Sequence, residues 1–128
     1  MLKRTLACAL FAITGHVYSA DIQVTTLVDE DKDDTACSLR EAVFFLNNRT
    51  QTEYENGYHG CGDKDATSTI ILQRDKEYTL NSSLQLKAAM TITVASSGEF
   101  NDNKKGLNNA TLKMVGNDRL FFIDDGSV

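Results

Sequence analysis

The sequence predicts a mainly β fold of short strands, with a single short helix near its start. Three features point there. From residue 69 onward, short runs rich in Ile, Leu, Val, Thr and Phe alternate with turns containing Asn, Ser and Gly. Apolar pairs recur in that region at Ile70/Leu72, Ile92/Val94 and Leu112/Met114, in steps of about 22 and 20 residues. Ahead of them, Leu39, Ala42, Val43 and Leu46 recur at i, i+3, i+4 and i+7, the apolar stripe of one helix. A step near 20 suits the coil of a solenoid, which buries its inner side chains against neighbouring coils. An antiparallel sandwich, with a strand every 8–12 residues or so, fits the same spacing.

The first twenty residues read as a secretory leader. Lys3 and Arg4 give a positive start, and residues 5–14 (TLACALFAIT) form an apolar run too short to span a bilayer. Small residues at Ser19 and Ala20 offer cleavage after either one. Cys8 lies inside the apolar run and does not fit a lipobox. Residues 21–28 (DIQVTTLV) alternate as a strand, and residues 29–35 (DEDKDDT) form an acidic turn. Ser38 and Glu41 make a capping box: the hydroxyl accepts from the backbone three residues on, and the carboxylate reaches back. The helix it starts ends near Asn47 and Asn48. A helix of about ten residues is marginal alone, so its stripe must lie on something apolar. Residues 49–68 are a polar loop without period. Beyond it, strands are expected at 69–72, 77–80, 84–86, 90–94, 110–115 and 120–123.

Charge and cysteines narrow the class. Loss of Lys3 and Arg4 with the leader makes a formal net charge of −5 two charges more negative, and the mature chain keeps only Lys104 and Lys105 as adjacent basic residues. Phosphate contacts need clustered cations, so nucleic acid is not an expected partner. No other segment could span a membrane, so no membrane insertion is expected. Loss of Cys8 leaves Cys37 and Cys61, an even pair suited to an oxidising compartment. A bridge between them closes a loop of about 25 residues and restricts the unfolded chain by roughly 3 kcal/mol. The rival arrangement, a metal held by Cys37, His59 and Cys61, has fewer ligands than structural zinc takes.

Candidate sites are sparse. Asp29, Asp31, Asp33 and Asp34 crowd acidic oxygens of the kind calcium prefers, but the EF-hand positions for glycine and glutamate are filled by Asp34 and Arg40. A solvated acidic turn is the plainer reading, and no metal or other cofactor is expected. Arg40 beside Glu41 reads as an ion-pair residue within the cap rather than an acid–base pair. His59 has no nucleophile spaced to use it. Arg119 with Asp124 and Asp125 is the one basic–acidic grouping among the strands, and it reads as turn residues. No catalytic residue is therefore assigned. Phe44, Phe45, Tyr54 and Tyr58 are expected to fill the core around the helix; left exposed, they would form a sugar- or protein-binding patch.

The heptapeptide Cys37-Ser38-Leu39-Arg40-Glu41-Ala42-Val43, with Asn47 four places later, resembles the CSLREA signature of a family of exported bacterial proteins. Thr25-Thr26 with the acidic turn, Cys61 before the first strand of the series, and Asp118-Arg119-Leu120-Phe121 extend the likeness over most of the mature chain. The resemblance implies a short right-handed parallel β-helix, a solenoid whose N-terminal end is closed by a capping helix. It divides the chain into a leader at 1–20, a strand–helix–disulfide-loop region at 21–68, and first coils at 69–128. Members commonly continue through many coils, whereas here the sequence stops at residue 128. The open end is thus expected to meet further coils or to self-associate. The expected function is a non-catalytic structural or adhesion module, placed in the periplasm, on the cell surface or in the medium. The alternatives are a piece of a polysaccharide lyase or hydrolase, or a carbohydrate- or calcium-binding module.

Overall fold

The computed structural model describes residues 19–95 and 109–124. Eight elements follow in order: β1 (Ile22–Gln23), α1 (Leu39–Asn48), β2 (Thr69–Leu72), β3 (Glu77–Leu80), β4 (Leu84–Leu86), β5 (Thr91–Val94), β6 (Thr111–Met114) and β7 (Phe121–Ile123). The leader read at residues 1–20 lies outside the described residues except for its last two. Among the described residues, no helix is long and apolar enough to cross a membrane.

The strands form three small sheets: β1-β2-β5, β3-β6 and β4-β7. Every pairing between these strands is parallel. This rules out the antiparallel sandwich, but it also corrects the expected fold class. Ile70 and Leu72 do register with Ile92 and Val94 across β2 and β5. Leu112 and Met114, however, register with Tyr78 and Leu80 of β3 rather than with β5. The step of about 20 residues from Ile92 to Leu112 therefore links two different sheets and is not a repeat of one.

Among the described residues no sheet has more than three strands, whereas a solenoid depends on stacking several like units in one array. Nor is α1 a lid laid over a β structure. It packs against β2 and β4 and supplies Leu39, Ala42, Val43, Phe45 and Leu46 to the single buried cluster. The short solenoid with a capping helix is thus replaced by a small mixed fold: one core helix with three short parallel sheets. The physical reason for the difference is that every strand carries the same apolar–polar alternation. Period-2 patterning says which face turns inward, but not which strands pair.

The first strand is also shorter than its alternation suggested. Val24 still donates to the Ile71 carbonyl at 3.0 Å, but Thr25 and Thr26 both donate to the carbonyl of Cys37. Those two bonds, with Cys37 N donating to Thr25 Oγ1 at 2.8 Å, lead the chain away from the sheet and towards the helix start. The strands expected at 90–94, 110–115 and 120–123 each lose a residue or two at their ends. Those at 69–72, 77–80 and 84–86 stand as expected.

The core runs from Ile22 and Val24 through Ile70, Leu72, Tyr78, Leu80 and Leu84 to the helix. Each buried side chain of this size removes roughly 1.5–3 kcal/mol of apolar exposure. Tyr78 is buried with its hydroxyl accepting from Gln73 N at 2.8 Å, and burial pushes its phenol above the ordinary value. Ile92, Val94, Leu112, Met114 and Phe121, on the second strand of each pair, are only half-buried.

Candidate functional site

Polar chemistry gathers where the acidic turn meets the start of α1. Ser38 is the N-cap: its hydroxyl accepts from Glu41 N at 3.1 Å and donates to the Glu30 carbonyl at 2.6 Å. Glu41 completes the capping box, Oε2 accepting from Ser38 N at 2.8 Å. Its other oxygen accepts from Lys32 N at 2.6 Å. The carboxylate is thus fully buried yet bonded to two backbone donors, which offsets the cost of taking a charge out of water.

Arg40 does not pair with its neighbour Glu41. It forms a fork on Asp29, with Nε–Oδ1 at 2.7 Å and Nη2–Oδ2 at 2.8 Å. Nη2 also donates to the Ser82 carbonyl, and Asn81 N donates to Asp29 Oδ2 at 2.7 Å. With the Asp29 side chain only 2 % exposed, this pair ties the acidic turn, the helix and the β3–β4 turn together. Asn47, at the other end of the motif, reaches β4: Nδ2 donates to the Gln85 carbonyl, and Oδ1 accepts from Lys87 N and Ala88 N. Arg49, which the sequence reading did not single out, donates to the Ala66 and Thr67 carbonyls and to Ser68 Oγ.

Cys37 and Cys61 are joined in a disulfide across 24 residues, with Cα atoms 4.9 Å apart. The bridge draws the loop after α1 back over the helix start. Tyr58 and Cys61 pair in a tight antiparallel bridge with His59 and Gly60 at its tip, both at positive φ (44° and 77°). Gly60 has a second reason to lack a side chain: a Cβ there would lie 2.7 Å from the Thr35 backbone. Gly62 is crowded likewise, because a Cβ would meet the Phe45 ring at 2.3 Å.

This hairpin carries His59 into the acidic turn. His59 Nδ1 lies 2.8 Å from Asp31 Oδ1 and 3.8 Å from Glu41 Oε1. Tyr58 donates to the same Asp31 oxygen at 2.7 Å and stacks on the imidazole, ring centroids 3.8 Å apart. Burial, then that hydrogen bond, pushes the Tyr58 phenol well above its ordinary value. Phe44 and Tyr54 extend the ring cluster, 4.3 Å and 5.6 Å from Tyr58. Of the four aromatic residues, Phe45 alone is fully buried; the other three are half-buried.

The four acidic residues considered for calcium face different partners. Asp29 is held by Arg40, and Asp31 by Tyr58 and His59. Asp34 accepts from Ala36 N and pairs with Lys32, contacts that hold its carboxyl below the ordinary value, and Asp33 is exposed. Of the residues considered at the end of the chain, Arg119 lies over the Phe122 ring at 5.8 Å and Asp124 N donates to the Leu86 carbonyl; Asp125 is outside the described residues. A cleft of about 370 Å³ runs between α1 and β4, lined in part by Arg40, Phe44, Asn47, Leu84 and Lys87. No protein-family model matches the chain, no curated protein matches it, and no solved structure matches it.

Proposed function

We propose that the chain is an exported, non-catalytic structural and interaction module that self-associates through the open edges of β5, β6 and β7. The carrying observation is the difference between its two ends. At one end, the side chains of the Cys37–Val43 motif are used in the disulfide, the capping box, the Asp29 fork and the core. At the other, β5, β6 and β7 pair on one side only among the described residues, as β1, β3 and β4 do, but their apolar side chains are half-buried or exposed where Ile22, Tyr78, Leu80 and Leu84 are buried. In a parallel ladder, successive N–H groups point to opposite sides. Thr91, Thr111 and Val115 donate inward, so the N–H groups of Ile92, Val94, Leu112 and Met114 turn to the open edge. Beside that edge, Val115 and Ile123 are 55 % and 58 % exposed, and Phe122 is 44 % exposed. Unpaired strand edges with apolar neighbours are templates for pairing with another chain.

Export is supported by the leader read at residues 1–20 and by the disulfide. The non-catalytic part is supported by the polar groups of the cap, whose hydrogen bonds are all directed to backbone or to each other. The resemblance to the exported CSLREA family agrees with both. Sedimentation equilibrium of the oxidised chain tests the proposal: concentration-dependent dimers or larger species are expected. The double variant V115K/I123K should stay monomeric with an unchanged circular dichroism spectrum. A wild-type chain that stays monomeric over the whole range, or a double variant that associates equally well, would sink it.

A further inference from the structure

We propose that Asp31, Glu41 and His59 form a binding site for a divalent transition-metal ion of the zinc class. One ligand atom from each lies within 4.8 Å of the others. Ligands bound to a common zinc at about 2.0–2.2 Å stand a little over 3 Å apart. The spacings from His59 Nδ1, 2.8 Å to Asp31 and 3.8 Å to Glu41, straddle that value. Small side-chain rotations would open one contact and close the other.

Three features distinguish this group from an ordinary surface cluster. First, the ligands come from three segments that the fold itself holds together. Asp31 sits on the turn, Glu41 in the first turn of α1, and His59 at the tip of a hairpin fastened by the Cys37–Cys61 bridge. Second, each carboxylate is already oriented by an outer partner. Tyr58 donates to Asp31 Oδ1, and Lys32 N and Ser38 N donate to the two oxygens of Glu41. Such partners fix ligand geometry in metal sites. Third, exposure is graded. The Glu41 side chain is fully buried, that of His59 is 25 % exposed and that of Asp31 is 51 % exposed, which gives an ion a route from solvent.

One imidazole with two carboxylates suits zinc, cobalt or nickel. Calcium takes six or more oxygens and has no use for the ring nitrogen. The ion would take the place of the direct His59 Nδ1–Asp31 Oδ1 contact, with the remaining positions left to water.

Isothermal titration of the chelator-treated, disulfide-bonded chain with zinc chloride is the test, with a parallel cobalt titration read in the visible spectrum. Saturable binding of one ion per chain is expected, with a rise in melting temperature that calcium at equal concentration does not give. H59N keeps a residue suited to the positive φ, and D31N keeps the Tyr58 contact; each should weaken zinc binding by more than about tenfold. D33N, an exposed change on the same turn, should leave binding unaltered. The absence of saturable zinc binding, preference for calcium, or equal affinity in H59N and D31N would each overturn the site.

Discussion

The two ends of this molecule are built from the same kinds of residue to opposite effect. Around α1, a short chain segment is fastened by a disulfide, a bidentate ion pair, a capping box and side-chain ties from Asn47 to β4 and from Arg49 to residues 66–68. Along β5, β6 and β7, each strand is fastened by one parallel ladder, as β1, β3 and β4 are, but its apolar side chains are half-buried or exposed rather than buried. Local stability should follow that contrast. Segments with few buried contacts and exposed backbone hydrogen bonds open at low free energy, and core segments only with global unfolding. The difference teaches that the CSLREA-like motif fastens the helix end of the fold, and that the edges proposed to self-associate lie away from it.

Breaking the fastened end should cost most. In R40A, the Asp29 carboxylate stays buried but loses its only cationic partner among the contacts described, and an uncompensated buried charge costs about 3–5 kcal/mol. Chemical denaturation should show that loss as a lower midpoint with an unchanged slope. Replacing both cysteines by alanine removes the 24-residue tether and should cost about 3 kcal/mol, readable in the same experiment against the oxidised chain. S38A deletes the cap hydroxyl, which both accepts from Glu41 N and donates to Glu30, and should cost about 1–2 kcal/mol in thermal unfolding. At the open end the order reverses. V115K/I123K touches exposed side chains and should change stability by less than about 0.5 kcal/mol, while removing self-association. If the edge substitutions proved as damaging as R40A, the contrast between the ends would be false.

What was legible in the sequence was local. The capping box and the i, i+3, i+4, i+7 stripe locate α1 to within two residues of its observed end, because both signals lie within a few turns of chain. The disulfide was legible because, with Cys8 read as part of a leader, two cysteines leave one pairing. What was hidden depends on long-range choice. Leu112 and Met114 carry the same alternation as Ile92 and Val94, so nothing local assigns them to β3. Arg40 stands next to Glu41 but pairs with Asp29, eleven residues away, because Glu41 is turned into the cap. The meeting of Asp31, Glu41 and His59 needs the hairpin at Tyr58–Cys61 and the disulfide together, and a separation of 28 residues leaves no sequence period to read. The one available signal was His59 beside Gly60, a dipeptide suited to a left-handed turn.

Amide hydrogen exchange read by mass spectrometry, at low and high protein concentration, tests the central claim most directly. The account predicts slow exchange at both concentrations in α1, in β2 and at the amides of β3 and β4 that pair into their ladders. Fast exchange in β5, β6 and β7 in dilute solution should become slow when the chain is concentrated. Uniform protection of all strands in the dilute chain, or edge amides whose exchange ignores concentration, would contradict it.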